Sequence, residues 1–321
     1  MSESVLFMGH GSRDSGAVNE CMSMVQDVEQ SLGQQFTPGF LELSKPLLFP
    51  EIVRQINDGV ERFLCFPNML LPGRHTMDHL PGVIGWAQRH FPNVEFYYGN
   101  FIGNHPYVYE ILYNNYQKAL DQFDVLTSSN RTAVVVVGRG STSDRSNRTF
   151  EKMVWRFREK YEISNLTWCY ISLAEPGSIP TLHRVAQTGT YRRIMLLPYF
   201  LFTGVLIKRI RHQMKHIAEQ YPGIQFVLGD YFGKDERLHD ILYDRIQTLS
   251  EHSVNYRPND FREISQKAGH HLHHLDIYGD RTAAPYLKDI PGCPEHRHPS
   301  SQMNNYRHGH LGADHESKNS N

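Results

Sequence analysis

Residues 5–12 read VLFMGHGS, and residues 133–141 read AVVVVGRGS. In both stretches an apolar run ends on a Gly-x-Gly-Ser motif, and the two motifs lie 129 residues apart. Four further pairs keep this spacing to within two residues: Pro46 and Pro176, Pro67 and Pro198, Gly73 and Gly204, and Gly103 and Gly233. A fixed internal offset of this kind is typical of a duplicated fold. The sequence therefore predicts two lobes of similar structure.

Three positions change chemical type between the two lobes. The pairs are His10 with Arg139, Glu42 with Ser172, and His75 with Leu206. Residues needed only for folding should persist in both lobes, whereas residues needed for chemistry can be lost from one. Two imidazoles and a carboxylate make a ligand set that accepts Fe, Co, Ni or Zn ions. We therefore predict a divalent-metal site in the first lobe alone.

Each half of the chain contains four short apolar runs separated by segments of helical periodicity. The predicted strands are 5–8, 40–43, 63–66 and 94–98 in the first half, and 133–137, 169–173, 194–197 and 225–228 in the second. Nearly continuous apolar strands that alternate with helices indicate parallel sheets covered on both faces. The predicted fold class is α/β, with two tandem flavodoxin-like or Rossmann-like lobes, each with a parallel four-stranded sheet, at residues 1–128 and 129–250.

The three candidate ligands fall at corresponding places in the first lobe. His10 follows the first predicted strand, Glu42 lies at the end of the second, and His75 lies in the loop after the third. Ligands of such sheets collect at the carboxyl ends of the strands, so we expect all three on one rim. A carboxylate on an apolar strand is costly unless it is paired or bound to a cation, which favours Glu42 as a ligand.

Simpler interpretations of single residues remain open at this point. His10 alone could be a turn histidine that caps the next helix. The GHGS motif could also be an anion-binding loop, although it has no lysine, no Walker spacing and no third glycine. Ser12 and Asp14 are predicted to cap the following helix, because Ser141 and Asp144 persist in the second lobe.

Two more histidines lie near the predicted site in sequence. His79 is four residues after His75 and would share its helical face, but a surface histidine is the preferred interpretation. His105 is interpreted as a loop residue.

Composition excludes several classes of protein. A net charge of −1 over 321 residues excludes a globally basic nucleic-acid binder. The apolar runs fall short of the roughly 20 residues that span a bilayer, and the amino terminus lacks the basic start of a signal peptide. A soluble cytoplasmic protein is expected.

Four widely spaced cysteines, at positions 21, 65, 169 and 293, exclude a CxxC site and are expected to be buried free thiols.

A segment of different composition begins near residue 251. Residues 252–321 contain ten of the 19 histidines and no sustained apolar periodicity. A largely disordered tail is expected at 251–321. Its densest cluster can bind divalent ions and is expected to store or deliver metal: His270, His271, His273 and His274.

The motifs taken together resemble a known family. GHGS after the first strand, the Leu41-Glu42-Leu43 segment and PNMLLPGRH at 67–75 are similar to the class II, ATP-independent chelatases that insert a metal into sirohydrochlorin. They resemble in particular the long, fused CbiX-type cobalt chelatases, to which PYFLFTGV at 198–205 is also similar. The resemblance covers about residues 4–247.

This resemblance implies a class II chelatase fold and an activity. A monomer with internal pseudo-two-fold symmetry would hold the anionic tetrapyrrole between its lobes, and only the first lobe would be catalytic. His10 and His75 would handle metal and protons, with Glu42 as their acidic partner. The groups expected to bind substrate are Ser12, Arg13, Arg74, Arg139, Lys208, Arg209 and Arg211. No membrane or nucleic-acid partner is implied.

Two departures from the family pattern qualify the resemblance. The family often has an acidic residue before an apolar-Pro pair, whereas this chain has His79 before Leu80-Pro81. Some long members carry a CxxC segment linked to an iron–sulfur cluster, whereas Cys293 stands alone. We therefore expect no iron–sulfur cluster. No nucleotide is expected as a cofactor either, because neither lobe has a phosphate loop with a lysine.

Three functions follow from the sequence. The favoured one is a sirohydrochlorin chelatase, with Co²⁺ ahead of Fe²⁺ or Ni²⁺. The second is a non-catalytic metal-binding protein or metallochaperone, which does not explain why the counterparts of Glu42 and His75 were lost. The third is a small-molecule binding protein that uses GHGS as an anion loop, which does not explain Glu42.

Overall fold

The computed structural model describes residues 2–123 and 131–251. The first lobe contains strands β1 (Glu3–Gly9), β2 (Phe36–Phe40), β3 (Arg62–Pro67) and β4 (Glu95–Tyr98), and helices α1 (Ser15–Leu32), α2 (Leu48–Asn57), α3 (Leu80–His90) and α4 (Tyr107–Leu120). The second contains β5 (Thr132–Gly138), β6 (Leu166–Tyr170), β7 (Arg193–Pro198) and β8 (Gln225–Leu228), and α5 (Asp144–Lys160), α6 (Ser178–Gln187), α7 (Val205–Gln220) and α8 (Arg237–Ser250). None of these helices is both long and apolar enough to cross a membrane. The tail histidines at 270–274 lie outside the described residues.

Each lobe contains one parallel four-stranded sheet, as predicted. The strand orders are β2-β1-β3-β4 and β6-β5-β7-β8, so the two sheets have the same topology. In the first sheet Phe7 of β1 pairs with Pro38 of β2 and with Phe66 of β3. Pro38 is tolerated because β2 is an edge strand, where a missing N–H breaks no inner ladder.

The alternation of side chains along the central strands separates three apolar clusters. Leu6 and Met8 face the outer cluster of the first lobe, which α2 and α3 cover. Val135 and Val137 face the equivalent outer cluster of the second lobe, under α6 and α7. Side chains on the opposite face of these strands, such as that of Phe7, lie in one continuous core between the two sheets. The lobes therefore share their central core.

The last helix of each lobe packs on the sheet of the other lobe. Helix α4 contacts β7, and α8 contacts β3. A Cβ on Gly99, after β4, would lie 3.0 Å from the Leu249 side chain of α8, and one on Gly229, after β8, would lie 3.5 Å from Ala119 of α4. Asn115 of α4 also donates a hydrogen bond to the carbonyl of Asp230, at 3.1 Å. The two lobes are therefore interlocked.

The second strand of each lobe ends earlier than the sequence predicted. The strands cover Phe36–Phe40 and Leu166–Tyr170, instead of 40–43 and 169–173. Leu43 and Leu173 have φ angles of 66° and 59°, which an extended strand cannot contain. Glu42 consequently lies in the bend after β2, and the prediction that placed it on the strand is wrong.

The turn before α1 has the cap predicted at Asp14 but not the one predicted at Ser12, whose hydroxyl accepts a hydrogen bond from the Asp14 N–H at 3.1 Å. The Asp14 carboxylate accepts a hydrogen bond from the Gly16 N–H at 3.0 Å and caps α1. The corresponding cap position in the second lobe is Ser143, whose side chain makes no capping hydrogen bond, and Asp144 is the first residue of α5. The prediction that Asp144 repeats the cap is therefore wrong.

Cys21, Cys65 and Cys169 are buried free thiols, as expected. Burial raises the pKa of Cys21 and that of Cys169 to about 12, so both thiols are protonated at neutral pH. Cys293 lies outside the described part of the chain.

Candidate metal centre

His10, Glu42 and His75 lie together at the carboxyl ends of β1, β2 and β3. One ligand atom from each of them lies within 4.8 Å of the other two. The Nε2 atom of His10 is 3.2 Å from Nε2 of His75 and 3.3 Å from Oε1 of Glu42. Ligand atoms that share an ion at about 2.0–2.2 Å are separated by similar distances. Within residues 2–123 and 131–251 no other group of three or more His, Cys, Asp or Glu side chains is placed in this way.

The Gly11 backbone sets the distance between His10 and Glu42. Gly11 has a φ of +90°, and a Cβ at this position would lie 1.8 Å from the carbonyl oxygen of Glu42. Gly140 repeats the arrangement, with a Cβ position 1.9 Å from the carbonyl of Ser172. Only glycine allows this close backbone contact. The glycines therefore persist in both lobes for packing, whereas the packing does not require a histidine between them.

A serine that the sequence analysis missed joins the same two loops. The Ser44 hydroxyl accepts a hydrogen bond from the Ser12 N–H and donates one to the Ser12 carbonyl, both at 2.8 Å. The second lobe has Ala174 at the equivalent position. The loss from one lobe, which identified the ligands, would have identified Ser44 as well.

The tautomer of His10 follows from its hydrogen bond to the backbone. Nδ1 of His10 lies 3.1 Å from the Gly11 carbonyl, which can only accept. The Nδ1 atom of the neutral ring therefore carries the proton, and Nε2 presents its lone pair to Glu42 and His75. Burial lowers the pKa of His10, and the hydrogen bond to Gly11 opposes this shift.

The imidazole of His75 is the more strongly perturbed. Burial, followed by the nearby imidazoles of His10 and His79, lowers the pKa of His75 to about 3. His75 is therefore neutral at physiological pH. A neutral imidazole is the form that binds a metal ion or accepts a proton.

His79 is buried beside His75, so its interpretation as a surface histidine is wrong. Its Nδ1 lies 3.0 Å from Nδ1 of His75. One turn of π-helix at His75–His79 joins the loop to α3 and brings the two rings together. The Tyr98 hydroxyl holds this turn by donating to the Thr76 carbonyl at 2.7 Å. The four-residue spacing was the available indication.

The predicted substrate-binding cations occupy different environments. The positive charges of Arg139 and Arg74 contribute to the low pKa of His75, so both lie near the cluster. Lys208 forms an ion pair with Asp14 across the lobe boundary. Three more of the predicted groups are exposed: Arg13, Arg209 and Arg211. Ser12 is partly buried.

Loops at the carboxyl ends of both sheets meet at this boundary. The Thr203 N–H, before α7, donates to the Glu20 carboxylate of α1 at 2.9 Å. A Cβ on Gly73 would lie 3.7 Å from the hydroxyl of Ser146 in α5. The cluster therefore lies on the first-lobe side of a junction to which the second lobe contributes Arg139. His105, in the loop before α4 as expected, lies elsewhere, 3.4 Å from Asp244 of α8.

Comparison with known proteins gives consistent matches. The CbiX family profile matches twice, at residues 4–119 and 133–249. A sirohydrochlorin cobaltochelatase of Priestia megaterium is 34% identical over 254 residues, covering 78% of this chain and 81% of that protein. A sirohydrochlorin ferrochelatase of the same organism is 26% identical, covering 77% of this chain and 90% of its own length. Among solved structures, SirB from Bacillus subtilis with Fe³⁺ superposes with a TM-score of 0.67 at 21% identity, covering 79% of this chain and 97% of SirB.

Proposed function

The chain belongs to the CbiX family, and from this premise we propose that it inserts a divalent metal ion into sirohydrochlorin without ATP. Co²⁺ is the favoured metal. The observation that carries the proposal is the cluster of His10, Glu42 and His75, which brings two neutral imidazoles and a carboxylate within 4.8 Å of one another. The named relatives act on the same tetrapyrrole.

The residue types match the chemistry of insertion. The reaction removes two pyrrole N–H protons and exchanges metal-bound water for ring nitrogens. The Nε2 atoms of His10 and His75 hold the incoming ion, and a neutral imidazole can also accept a proton from the ring. Glu42 offsets part of the positive charge of the ion and passes protons to solvent. The ion is a substrate here, so its ligands must also release it.

The second lobe contributes to substrate binding rather than to metal binding. Arg139 replaces a histidine and cannot coordinate a cation or accept a proton at neutral pH. Its guanidinium suits the carboxylates of the tetrapyrrole, as do the side chains of Arg74 and Arg13. Lys208 and Arg209 provide two more positive charges for the substrate carboxylates. Lys208 leaves its ion pair with Asp14 when it binds a substrate carboxylate. The Ser12 hydroxyl, in the loop that contains His10, donates a hydrogen bond to the substrate.

The two named relatives differ in their metal, since one is a cobaltochelatase and the other a ferrochelatase. Fe²⁺ and Ni²⁺ are the alternatives, because a ferrochelatase is among the relatives. Nitrogen and oxygen ligands bind these ions in the Irving–Williams order, so availability in the cell contributes to selection.

The test is absorbance of sirohydrochlorin mixed with purified protein and Co²⁺, Fe²⁺ or Ni²⁺, without nucleotide. We expect insertion well above the rate without protein, with the fastest rate for Co²⁺. The His75→Ala protein serves as the control. A strict ATP requirement, or a rate equal to the uncatalysed one with every metal, would contradict the proposal.

A further inference from the structure

Two leucines occupy equivalent and unusual positions beside the candidate site. Leu43 follows Glu42, and Leu173 follows Ser172, its second-lobe counterpart. Both have left-handed backbone conformations, with φ of 66° and 59°. Both side chains are also exposed, by 43% and 54%.

Folding does not account for a leucine at either position. A branched side chain is disfavoured at a positive φ, where glycine or asparagine fits without strain. Burial in the core would offset this cost, but neither leucine is buried. Gly11 and Gly140 show that the chain has glycine where a left-handed turn packs against backbone. A side chain that is strained and exposed in both lobes therefore indicates a role in binding.

The location of the pair points to the ligand. Leu43 belongs to the bend that presents Glu42. Leu173 belongs to the equivalent bend, in which the Ser172 N–H donates to the carbonyl of Arg139 at 3.0 Å, and the Arg139 side chain is close enough to Glu42 for their charges to interact. Leu173 also lines a surface cavity together with Ser172 and Ile179. The metal ligands exist in one lobe only, whereas the exposed leucine exists in both. A metal ion needs ligands from one side, whereas a flat macrocycle has two apolar faces, and a macrocycle bound between the lobes would present one face to each lobe. The duplicated leucine fits the faces of the macrocycle.

We propose that Leu43 and Leu173 contact the two faces of the tetrapyrrole and determine its affinity. This inference rests on the proposed function for the identity of the ligand. The basic side chains then bind the carboxylates at the rim of the substrate, and the two leucines bury its apolar centre beside Glu42.

The test measures binding of metal-free sirohydrochlorin to the full chain by fluorescence titration. Leu43→Asn and Leu173→Asn keep the number and branching of the side-chain heavy atoms, and asparagine accepts the left-handed backbone. We expect each substitution to raise Kd about tenfold, since each removes apolar burial of roughly half a leucine. Leu43→Met and Leu173→Met should stay within about threefold of wild type.

The matched control is Glu162→Asn. Glu162 also has a positive φ, of 53°, but it follows the far end of α5, about 25 Å along that helix from its amino terminus. This control should leave sirohydrochlorin binding unchanged. Leu43→Gly and Leu173→Gly provide a second pair of variants, because glycine relieves the strained backbone and should preserve or raise Tm. The glycine variants should bind as weakly as the asparagine variants.

The outcomes separate this inference from the proposed function. Wild-type affinity in both asparagine variants would overturn it, as would methionine variants that bind as weakly as the asparagine ones. Wild-type protein that binds sirohydrochlorin but inserts no metal would contradict the proposed function and leave the leucine comparison decisive. Wild-type protein that binds no sirohydrochlorin would overturn both. Co²⁺ affinity of Leu173→Asn should equal that of wild type, because Ser172 is not a ligand.

Discussion

Three imidazoles in series form the centre of the site. His75 lies between the other two. Its Nε2 is 3.2 Å from Nε2 of His10, and its Nδ1 is 3.0 Å from Nδ1 of His79. Positive charge on any one of them would repel charge on its neighbours, and burial already disfavours the charged form. The protein therefore keeps a basic ligand set neutral at a pH where an exposed histidine begins to protonate.

This neutrality predicts a loss of stability in acid. His75 has a pKa of about 3 in the folded chain and an ordinary value near 6.5 when unfolded. As pH falls from 6.5 towards 3, the unfolded chain binds a proton that the folded chain does not, so stability falls. The contribution of His75 at pH 5 is at most about 2 kcal/mol. Urea unfolding of metal-free protein at pH 7.5 and 5.0 should show a smaller decrease for His75→Gln than for wild type. Equal decreases would contradict this assignment.

Substitution of the ligands should separate metal chemistry from substrate binding. His10→Ala and His75→Ala should each lower kcat for insertion by about a hundredfold or more, because each removes a ligand. Glu42→Gln should fold normally and react slowly, since the amide keeps the shape but loses the charge. Arg139→Ala should instead raise KM for sirohydrochlorin. Steady-state absorbance assays measure both constants, and an Arg139→Ala protein without turnover beside an active His75→Ala protein would show that the wrong lobe was assigned.

The sequence was sufficient to propose the ligands but not their surroundings. His10, Glu42 and His75 could be proposed because the second lobe has a cation, a hydroxyl and an alkyl group in their places. His79 was misplaced because four-residue spacing is equally compatible with a solvent-facing helix. Its burial depends on the packing of the π-helical turn at His75–His79, which no local pattern encodes.

At the scale of elements, the two Gly-x-Gly-Ser turns hold the second bend of each lobe against the first strand. The N–H groups of Leu41 and Glu42 donate to the carbonyls of Gly9 and His10, at 2.9 and 3.1 Å. The same bonds recur at Ile171 and Ser172. The bend therefore continues the pairing with β1 or β5 after the strand itself has ended, which explains why the apolar pattern predicted strands that end at residues 43 and 173.

This contact makes Gly140 far less replaceable than an ordinary left-handed glycine. In Gly140→Ala the new Cβ meets the Ser172 carbonyl at 1.9 Å, so the two loops must separate. We expect a loss of about 3 kcal/mol or more. Gly33→Ala is the matched control, because Gly33 has a φ of +61° but its Cβ position has no neighbour within 4 Å. That variant should lose only about 1–2 kcal/mol. Urea titrations compare the two, and equal losses would contradict the steric explanation.

At the scale of the whole molecule, the exchange of α4 and α8 joins the two lobes into one packed unit. Sequence periodicity placed these helices in their own lobes, because a period of 3.6 residues identifies an apolar face but not the sheet that it covers. The parallel sheet of each lobe was predictable, because four apolar runs alternate with helical segments. The exchange was not, since it depends on contacts between segments more than seventy residues apart.

The exchange predicts the behaviour of the separated halves. Residues 1–128 alone lack α8 over β3, and residues 129–250 alone lack α4 over β7, so each exposes apolar surface. We expect each fragment to aggregate or self-associate, and the two together to form a stable one-to-one complex. Light scattering after size-exclusion chromatography of single and co-expressed fragments tests this expectation. A monomeric 1–128 fragment with cooperative unfolding would contradict it.

The same exchange has a consequence for biosynthesis. Roughly 170 residues separate the end of β3 from the start of α8. At translation rates of about 5–20 residues per second, the ribosome needs roughly 10–30 seconds to make the helix that covers the first sheet. Until most of the second lobe has been synthesised, the face of the first sheet that α8 covers stays without this helix. During that interval α4 is already present, so it can occupy the place of α8 transiently and shield the face until its proper partner emerges.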